Sequence, residues 1–165
     1  MKLTLIAFLS FLVITYYGQE LHLSKHSVTK LFVKSIPEKL NDANGWSSHH
    51  WTFCGTDSSI SMSDTIKMFN NSYPIGGHCC QSISWMFYKK HFFRTQETSW
   101  CMEPPLSTAI DLDQNYNIKL KTTDKNLHLK VFKSGRKVYD FIIVKIEYIK
   151  EAYTKSALIT MVNSH

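Results

Sequence analysis

From Trp51 onward apolar and polar residues alternate with a period of two, the pattern of strands with one dry face. Ile60, Met62, Ile66 and Met68 fall on one side, and Ser61, Ser63, Thr65 and Lys67 on the other. Asp64 is the one exception inside, so the stretch predicts a strand or a bent pair of strands. Asn70-Asn71-Ser72-Tyr73-Pro74 breaks the run and Gly76-Gly77 marks a turn or bulge. Cys80 to Tyr88 is apolar on both faces, Ile83, Trp85 and Phe87 alternating with Met86 and Tyr88. Such a strand is buried on both sides or borders a cavity. Pro104-Pro105 cannot join a central ladder.

The alternation then resumes. Tyr116, Ile118 and Leu120 interleave with Asn117, Lys119 and Lys121, and Leu127, Leu129 and Val131 with His128, Lys130 and Phe132. Lys133-Ser134-Gly135-Arg136 reads as a hairpin turn, followed by Val138, Ile142, Val144, Ile146 and Tyr148 on one face. Ala157–Val162 closes the chain as a last strand. About seven short strands with turn signals between them predict an all-β fold: an antiparallel two-sheet β-sandwich of the immunoglobulin-like kind.

The amino-terminal third differs. Met1-Lys2 precedes an apolar run, Leu3–Ile14, broken only by Thr4 and Ser10, and Thr15-Tyr16-Tyr17-Gly18 follows. A short basic start, an apolar core too short for a comfortable bilayer span and a small residue at its end predict a cleaved export signal over 1–18. Residues 19–48 form an arm or pro-segment, in which Val28, Leu31, Phe32, Ser35 and Ile36 fall near helical spacing before Pro37. The arm reads as a short helix, a pro-segment or a loose extension. Residues 49–165 are then the β-sandwich domain.

Removal of the leader leaves about 147 residues, enough for one domain with one core. No second apolar run reaches the length of a span, so a soluble, secreted chain without stable membrane insertion is expected. Export gives the sequon Asn70-Asn71-Ser72 a meaning, with Asn70 as glycosylation acceptor. Export also favours oxidation of Cys54, Cys79, Cys80 and Cys101. A bond between neighbours Cys79 and Cys80 strains the backbone, which leaves Cys54–Cys79 with Cys80–Cys101, or Cys54–Cys80 with Cys79–Cys101. Either set closes loops of about 21 to 26 residues, worth roughly 3–4 kcal/mol apiece. His49, His50, Cys54, His78, Cys79 and Cys80 lack the paired spacing of a zinc finger, so neither metal nor other cofactor is expected.

The formal net charge of +6 comes from bases that alternate with apolar residues, as on the wet side of a sheet. No aromatic-basic recognition motif accompanies them, so nucleic acid is not an expected partner, and mild attraction to anionic surfaces is. No nucleophile elbow, phosphate-cradling glycine loop or converging acid–base pair stands in the chain, which argues against an enzyme. What the chain has in quantity is soft apolar surface. Met62, Met68, Trp85, Met86, Phe87, Phe92, Phe93 and Trp100 can fill a core or part to admit an acyl chain. Lys89, Lys90, His91 and Arg94 follow the most apolar strand directly and supply a basic rim.

The order of these features resembles the MD-2-related lipid-recognition family, which includes the Niemann-Pick C2 and GM2-activator types. The resemblance is carried by Trp51-Thr52-Phe53-Cys54-Gly55-Thr56-Asp57-Ser58-Ser59-Ile60, by Tyr73-Pro74-Ile75-Gly76-Gly77, by the apolar strand Ile83–Tyr88, and by Tyr139–Ile149 with Ala157–Val162. Family members carry a cysteine in the last strand and this chain has none there, so no disulfide frame is carried over. The resemblance implies a two-sheet sandwich whose interior accepts a lipid tail without covalent chemistry. Ile60, Met62, Ile66, Met68, Ile83, Trp85, Phe87, Leu127, Leu129 and Val131 are the residues expected to line that space. The expected role is a secreted lipid- or hydrophobic-ligand-binding protein. The alternative is a secreted signalling or host-interaction ligand that meets a cell-surface receptor through its outer face, and a small secreted hydrolase ranks third.

Overall fold

The computed structural model describes residues 22–37, 50–55, 60, 62–70, 79–108, 115–151 and 154–164. The leader over 1–18 and most of the arm's second half lie outside the described residues. Among the described residues helix α1 (Lys25–Lys34) precedes nine strands. These are β1 (Trp51–Cys54), β2 (Thr65–Asn70), β3 (Gln81–Lys89), β4 (Phe92–Ser99), β5 (Leu106–Ser107), β6 (Tyr116–Thr123), β7 (Asn126–Lys133), β8 (Arg136–Glu151) and β9 (Thr154–Asn163).

The strands form one closed sheet, and this corrects the predicted two-sheet, immunoglobulin-like sandwich. Following the hydrogen-bonded neighbours gives β3-β1-β2-β9-β8-β7-β6-β4, and β4 pairs again with β3, so eight antiparallel strands make a barrel with β5 outside it on the edge of β4. A period of two says that each strand has a dry face; a sandwich and a barrel both satisfy it. What separates them is the pairing of β1 with β3 and of β6 with β4, which no local pattern encodes. The two-sheet sandwich that the family resemblance implies is likewise not the fold formed.

The alternation places Trp51, Phe53, Ile66, Met68, Ile83, Trp85, Phe87, Phe93, Tyr116, Ile118, Leu129, Val131, Phe141 and Ile159 in one buried cluster. Two local departures from the predicted pattern have clear causes. The period-two run around Ile60 becomes strand only from Thr65, and Met62 stands in a turn, 83% exposed. In β8 a bulge between Ile143 and Lys145 shifts the register, so Phe141, Ile143 and Ile146 face the core while Val144 is 54% exposed. A bulge inserts one unpaired residue and swaps the faces beyond it.

Turns follow local chemistry. The predicted turn between β7 and β8 is present, with Ser134 at φ 50° and Gly135 at φ 81°, the two left-handed residues that match the strand twist of a tight hairpin. Asp124 and Lys125 do the same between β6 and β7 at φ 51° and 66° without a glycine. Positive φ there costs more for lysine than for aspartate.

The arm contributes structure. Ser24 caps α1: its Oγ accepts from the Ser27 backbone N–H at 3.1 Å, and the Ser27 Oγ accepts from the Ser24 N–H at 3.0 Å. This reciprocal pair satisfies two of the donors a helix start leaves open. Val28, Leu31 and Phe32 turn one face into the barrel cluster, where Phe32 stacks on Phe87 at 4.7 Å and meets the edge of Trp51 at 5.3 Å. At the other end the fully buried Ser35 hydroxyl donates to the Phe32 carbonyl at 2.7 Å and accepts from Trp51 Nε1 at 3.1 Å. The helix is therefore tied to β1 by a buried polar bridge as well as by rings.

Replacing Phe32 by alanine removes a fully buried ring with contacts to two others. It should lower unfolding free energy by about 3–5 kcal/mol, read from denaturant midpoints, whereas Val33→Ser on the exposed side of the same helix should change it by less than about 0.5 kcal/mol.

Candidate functional site

Nine of the ten residues expected to line a ligand space, all but Met62, lie together in the buried cluster. Aromatic rings within and beside this set touch one another in succession. Phe87 and Phe93 lie 5.3 Å apart, Trp85 stacks on Phe93 at 4.4 Å, Phe53 meets Trp85 at 6.3 Å and Phe93 stacks on Tyr116 at 5.3 Å. With Phe32 on Phe87, these rings form a continuous chain across one part of the barrel. An eight-stranded barrel is just wide enough for side chains to fill or for one small ligand to enter, and in this part aromatic rings occupy the interior.

Space appears where two neighbouring strands part. Among the described residues β1 and β2 share two pairs, Trp51 with Asn70 and Thr52 with Phe69. Beyond them β1 continues along β3 as far as Cys54, and β2 runs along β9 from Thr65. In the resulting gap lies a cavity of about 340 Å³ lined by Phe53, Cys54, Ile60, Ser63, Thr65, Ile66, Lys67 and Phe69. Ile60 and Ile66 reach it from the buried cluster, and Phe53 joins it to the Trp85 ring. Thr65 and Lys67 face outward on β2 and supply its polar side. Among the described residues Lys67 makes no ion pair.

At the far lip a β9 side chain ties down the chain before β2. Asn163, the last residue of β9, donates its amide hydrogens to the carbonyls of Ile60 at 3.0 Å and Ser63 at 2.7 Å. Cys54, at the near lip, is bonded to Cys79, and Cys80 to Cys101, with Cα atoms 5.6 and 4.9 Å apart. This is the first of the two pairings left open by the sequence. Both bridges gather at the start of β3, where Trp100 also donates its ring N–H to the Ser82 hydroxyl at 2.8 Å.

The predicted basic rim sits elsewhere. Phe53 pairs with Ile83, near the beginning of β3, and Lys89 lies six residues further on, roughly 20 Å along an extended strand. Lys89 Nζ rests 5.8 Å from the centre of the Phe92 ring, and Arg94 lies over Tyr88 at 4.9 Å. His91 is held below the ordinary histidine value by burial first, then by the charges of Lys90 and Lys25. These groups cluster at the helix end of the hairpin, away from the cavity lining.

The strongest acid–base cluster is on the outer face of β7 and β8. Asp140 meets His128 Nδ1 at 3.1 Å, Lys130 Nζ at 3.2 Å and Lys137 Nζ at 3.3 Å. Burial raises its pKa, and the hydrogen bonds from those three groups outweigh it, leaving the carboxyl below its usual value. None of the four lines the cavity. Among the described residues no group of three or more metal-ligating side chains converges; His49 and His78 lie outside them. Asn70 ends β2 half-buried, its Oδ1 without a hydrogen-bond partner among the described residues, and Asn71 and Ser72 fall outside them. Among the described residues no helix is long and apolar enough to cross a membrane.

Phe53, Ser63, Thr65, Lys67 and Phe69 were not among the residues expected to line a ligand space. The available signal was the brevity of β1, which ends at Cys54-Gly55 while β2 is longer, and it becomes informative only once the two strands are known to be neighbours. No protein-family model, curated protein or solved structure matches the chain.

Two outcomes are expected. Asn163→Ala leaves two carbonyls without their donor and should cost about 1–3 kcal/mol, measured by denaturant unfolding. Asp140, with its lowered pKa, stabilises the fold above the ordinary carboxyl value of about 3.9 and loses that contribution as pH falls through the lowered value. Unfolding midpoints taken between pH 6 and pH 2 should show a decline below about pH 4 that is smaller in Asp140→Asn.

Proposed function

We propose that the chain is a secreted carrier of a small hydrophobic ligand with an anionic group, taken up in the gap between β1 and β2. The single observation that carries this reading is the cavity itself. Its volume of about 340 Å³ stands at the lower end of the roughly 300–1,000 Å³ found for small-molecule sites. Its lining combines apolar side chains with few polar ones, the usual composition of such a site. Phe53, Ile60, Ile66 and Phe69 offer a surface for an acyl or similar chain, and Lys67 stands where a carboxylate or phosphate head would emerge.

The magnitudes set the expected affinity. Burying about five methylenes contributes roughly 4 kcal/mol, and a solvent-exposed ion pair with Lys67 adds about 0.2–1 kcal/mol. Dissociation constants of about 0.1–1 mM follow for a short-chain acid. The export pattern over residues 1–18 and the two cystines support an extracellular setting.

Titrating the full chain with a fluorescent medium-chain fatty acid tests the reading. Saturable uptake is expected, reduced about three- to tenfold by Lys67→Glu and abolished by Ile66→Trp, which fills the space. An uncharged alcohol analogue should ignore the Lys67 substitution. Absence of saturable uptake by the wild-type protein, or uptake indifferent to both variants, overturns the proposal.

One observation favours the second reading, a ligand acting on a receptor through its outer surface. Trp100, Met102 and Leu106 are 50, 52 and 62% exposed within a short stretch anchored by the Cys80–Cys101 bridge. Under the cavity reading, Met102→Lys with Leu106→Lys leaves fatty-acid uptake unchanged in the same titration.

A further inference from the structure

The positive charge of this protein is concentrated in one segment. Residues 116 to 140 contain Lys119, Lys121, Lys125, Lys130, Lys133, Arg136 and Lys137 against only Asp124 and Asp140. That surplus of five accounts for nearly all of the chain's formal net charge of +6. The fold turns the segment into a surface, since these residues form β6, β7 and the start of β8, consecutive antiparallel neighbours in the barrel wall.

Register decides which charges meet. Lys119 pairs with Lys130, and Lys130 with Asp140; Lys121 pairs with His128. Their inward neighbours Ile118, Leu120, Leu129 and Phe141 are buried, so the lysines face solvent across three strands. Like charges directly opposite one another destabilise a sheet, and stability alone does not favour Lys119 across from Lys130. Two devices hold the array in place. Lys119 Nζ lies 4.8 Å over the Phe132 ring, and Asp140 engages Lys130 and Lys137 together. One carboxylate shared by two lysines and His128 leaves the face strongly cationic.

We infer that the outer face of β6, β7 and β8 binds a linear sulfated polysaccharide. A convex barrel wall cannot enclose a small anion. Cations spaced about 4.8 Å across strands and about 6.6 Å along them can instead track a polymer that carries a charge on every unit. The two cystines fit an extracellular chain, where such polymers occur. Single-stranded nucleic acid binding relies on exposed rings for stacking, and the ring on this face, half-buried Phe132, lies under Lys119. Of the exposed large apolar side chains among the described residues, Trp100, Met102 and Leu106 belong to the segment around β5, and this wall carries only the short Val138 and Val144 of β8.

The test is retention of the full chain on immobilised heparin across a salt gradient, with affinity measured in solution against heparin, desulfated heparin, vesicles of phosphatidylserine and phosphatidylcholine, and a single-stranded oligonucleotide. Lys119→Gln, Lys121→Gln and Lys130→Gln together should weaken heparin binding about 10- to 100-fold and flatten its salt dependence. Removing the same charge from the helix, Lys25→Gln, Lys30→Gln and Lys34→Gln, should weaken it less than about threefold. Fatty-acid uptake and unfolding midpoints measured on both triple variants separate a local charge effect from misfolding. Equal losses in the two variants, heparin binding that survives desulfation, or equal affinity for the vesicles or the oligonucleotide at the same ionic strength overturns the inference.

Discussion

Closing an antiparallel sheet on itself removes its edges, and each strand must then satisfy a neighbour on both sides while keeping one face dry. In this chain the requirement is met unevenly. The meander β6-β7-β8-β9 pairs along nearly its whole length, and β3 with β4 likewise. Among the described residues the two joints that complete the ring are short: β4 meets β6 through Phe92–Asn117 and Phe93–Tyr116, and β1 meets β2 through two pairs. Much of the remaining architecture answers to those two joints. Where β4 leaves β6, its far end pairs with β5 instead; where β1 leaves β2, the wall opens into the cavity.

Short joints carry few ladder hydrogen bonds, so side chains and covalent bonds must hold the ring closed. At the helix end Phe32, Phe87, Phe93 and Trp51 pack across the interior, and Ser35 bridges α1 to β1. At the other end Cys54–Cys79 and Cys80–Cys101 fix the ends of β1 and β4 to the chain entering β3. Their separations of 25 and 21 residues correspond to roughly 3 kcal/mol each in the loop-entropy model. One end is thus plugged by apolar burial and the other stapled. The space left between β1 and β2 sits beside the staple, with Cys54 in its lining.

These features differ in how much of them a sequence can show. Strand existence was legible because burial imposes alternation, and β3, β6, β7 and the turn at Ser134-Gly135 follow it closely. The helical spacing of Val28, Leu31 and Phe32 was legible for the same reason. Closure was not, since it depends on which distant strands become neighbours. The face of β8 was misread because one bulge near Val144 exchanges inside and outside without changing composition. The cavity residues were hidden more deeply. Lys67 and Thr65 lie on the polar side of β2 and look like ordinary solvated positions until β1 is seen to end early beside them.

Cavity and cationic wall are built from different parts of the chain, and this separation has a physical basis. This cavity lies where pairing between β1 and β2 stops, because strands that part leave room between their side chains. A cationic array needs the opposite, a stretch where pairing is complete, because repelling ammonium groups hold fixed spacing only on a backbone that does not yield. β6, β7 and the first half of β8 provide that, with eight successive register pairs between β6 and β7 and buried Leu120, Leu127, Leu129 and Phe141 beneath. The ion pairs of Asp140 restrain two of the lysines without cancelling the charge of the face. Complete pairing under the lysines and interrupted pairing beside Lys67 are therefore two consequences of one uneven closure.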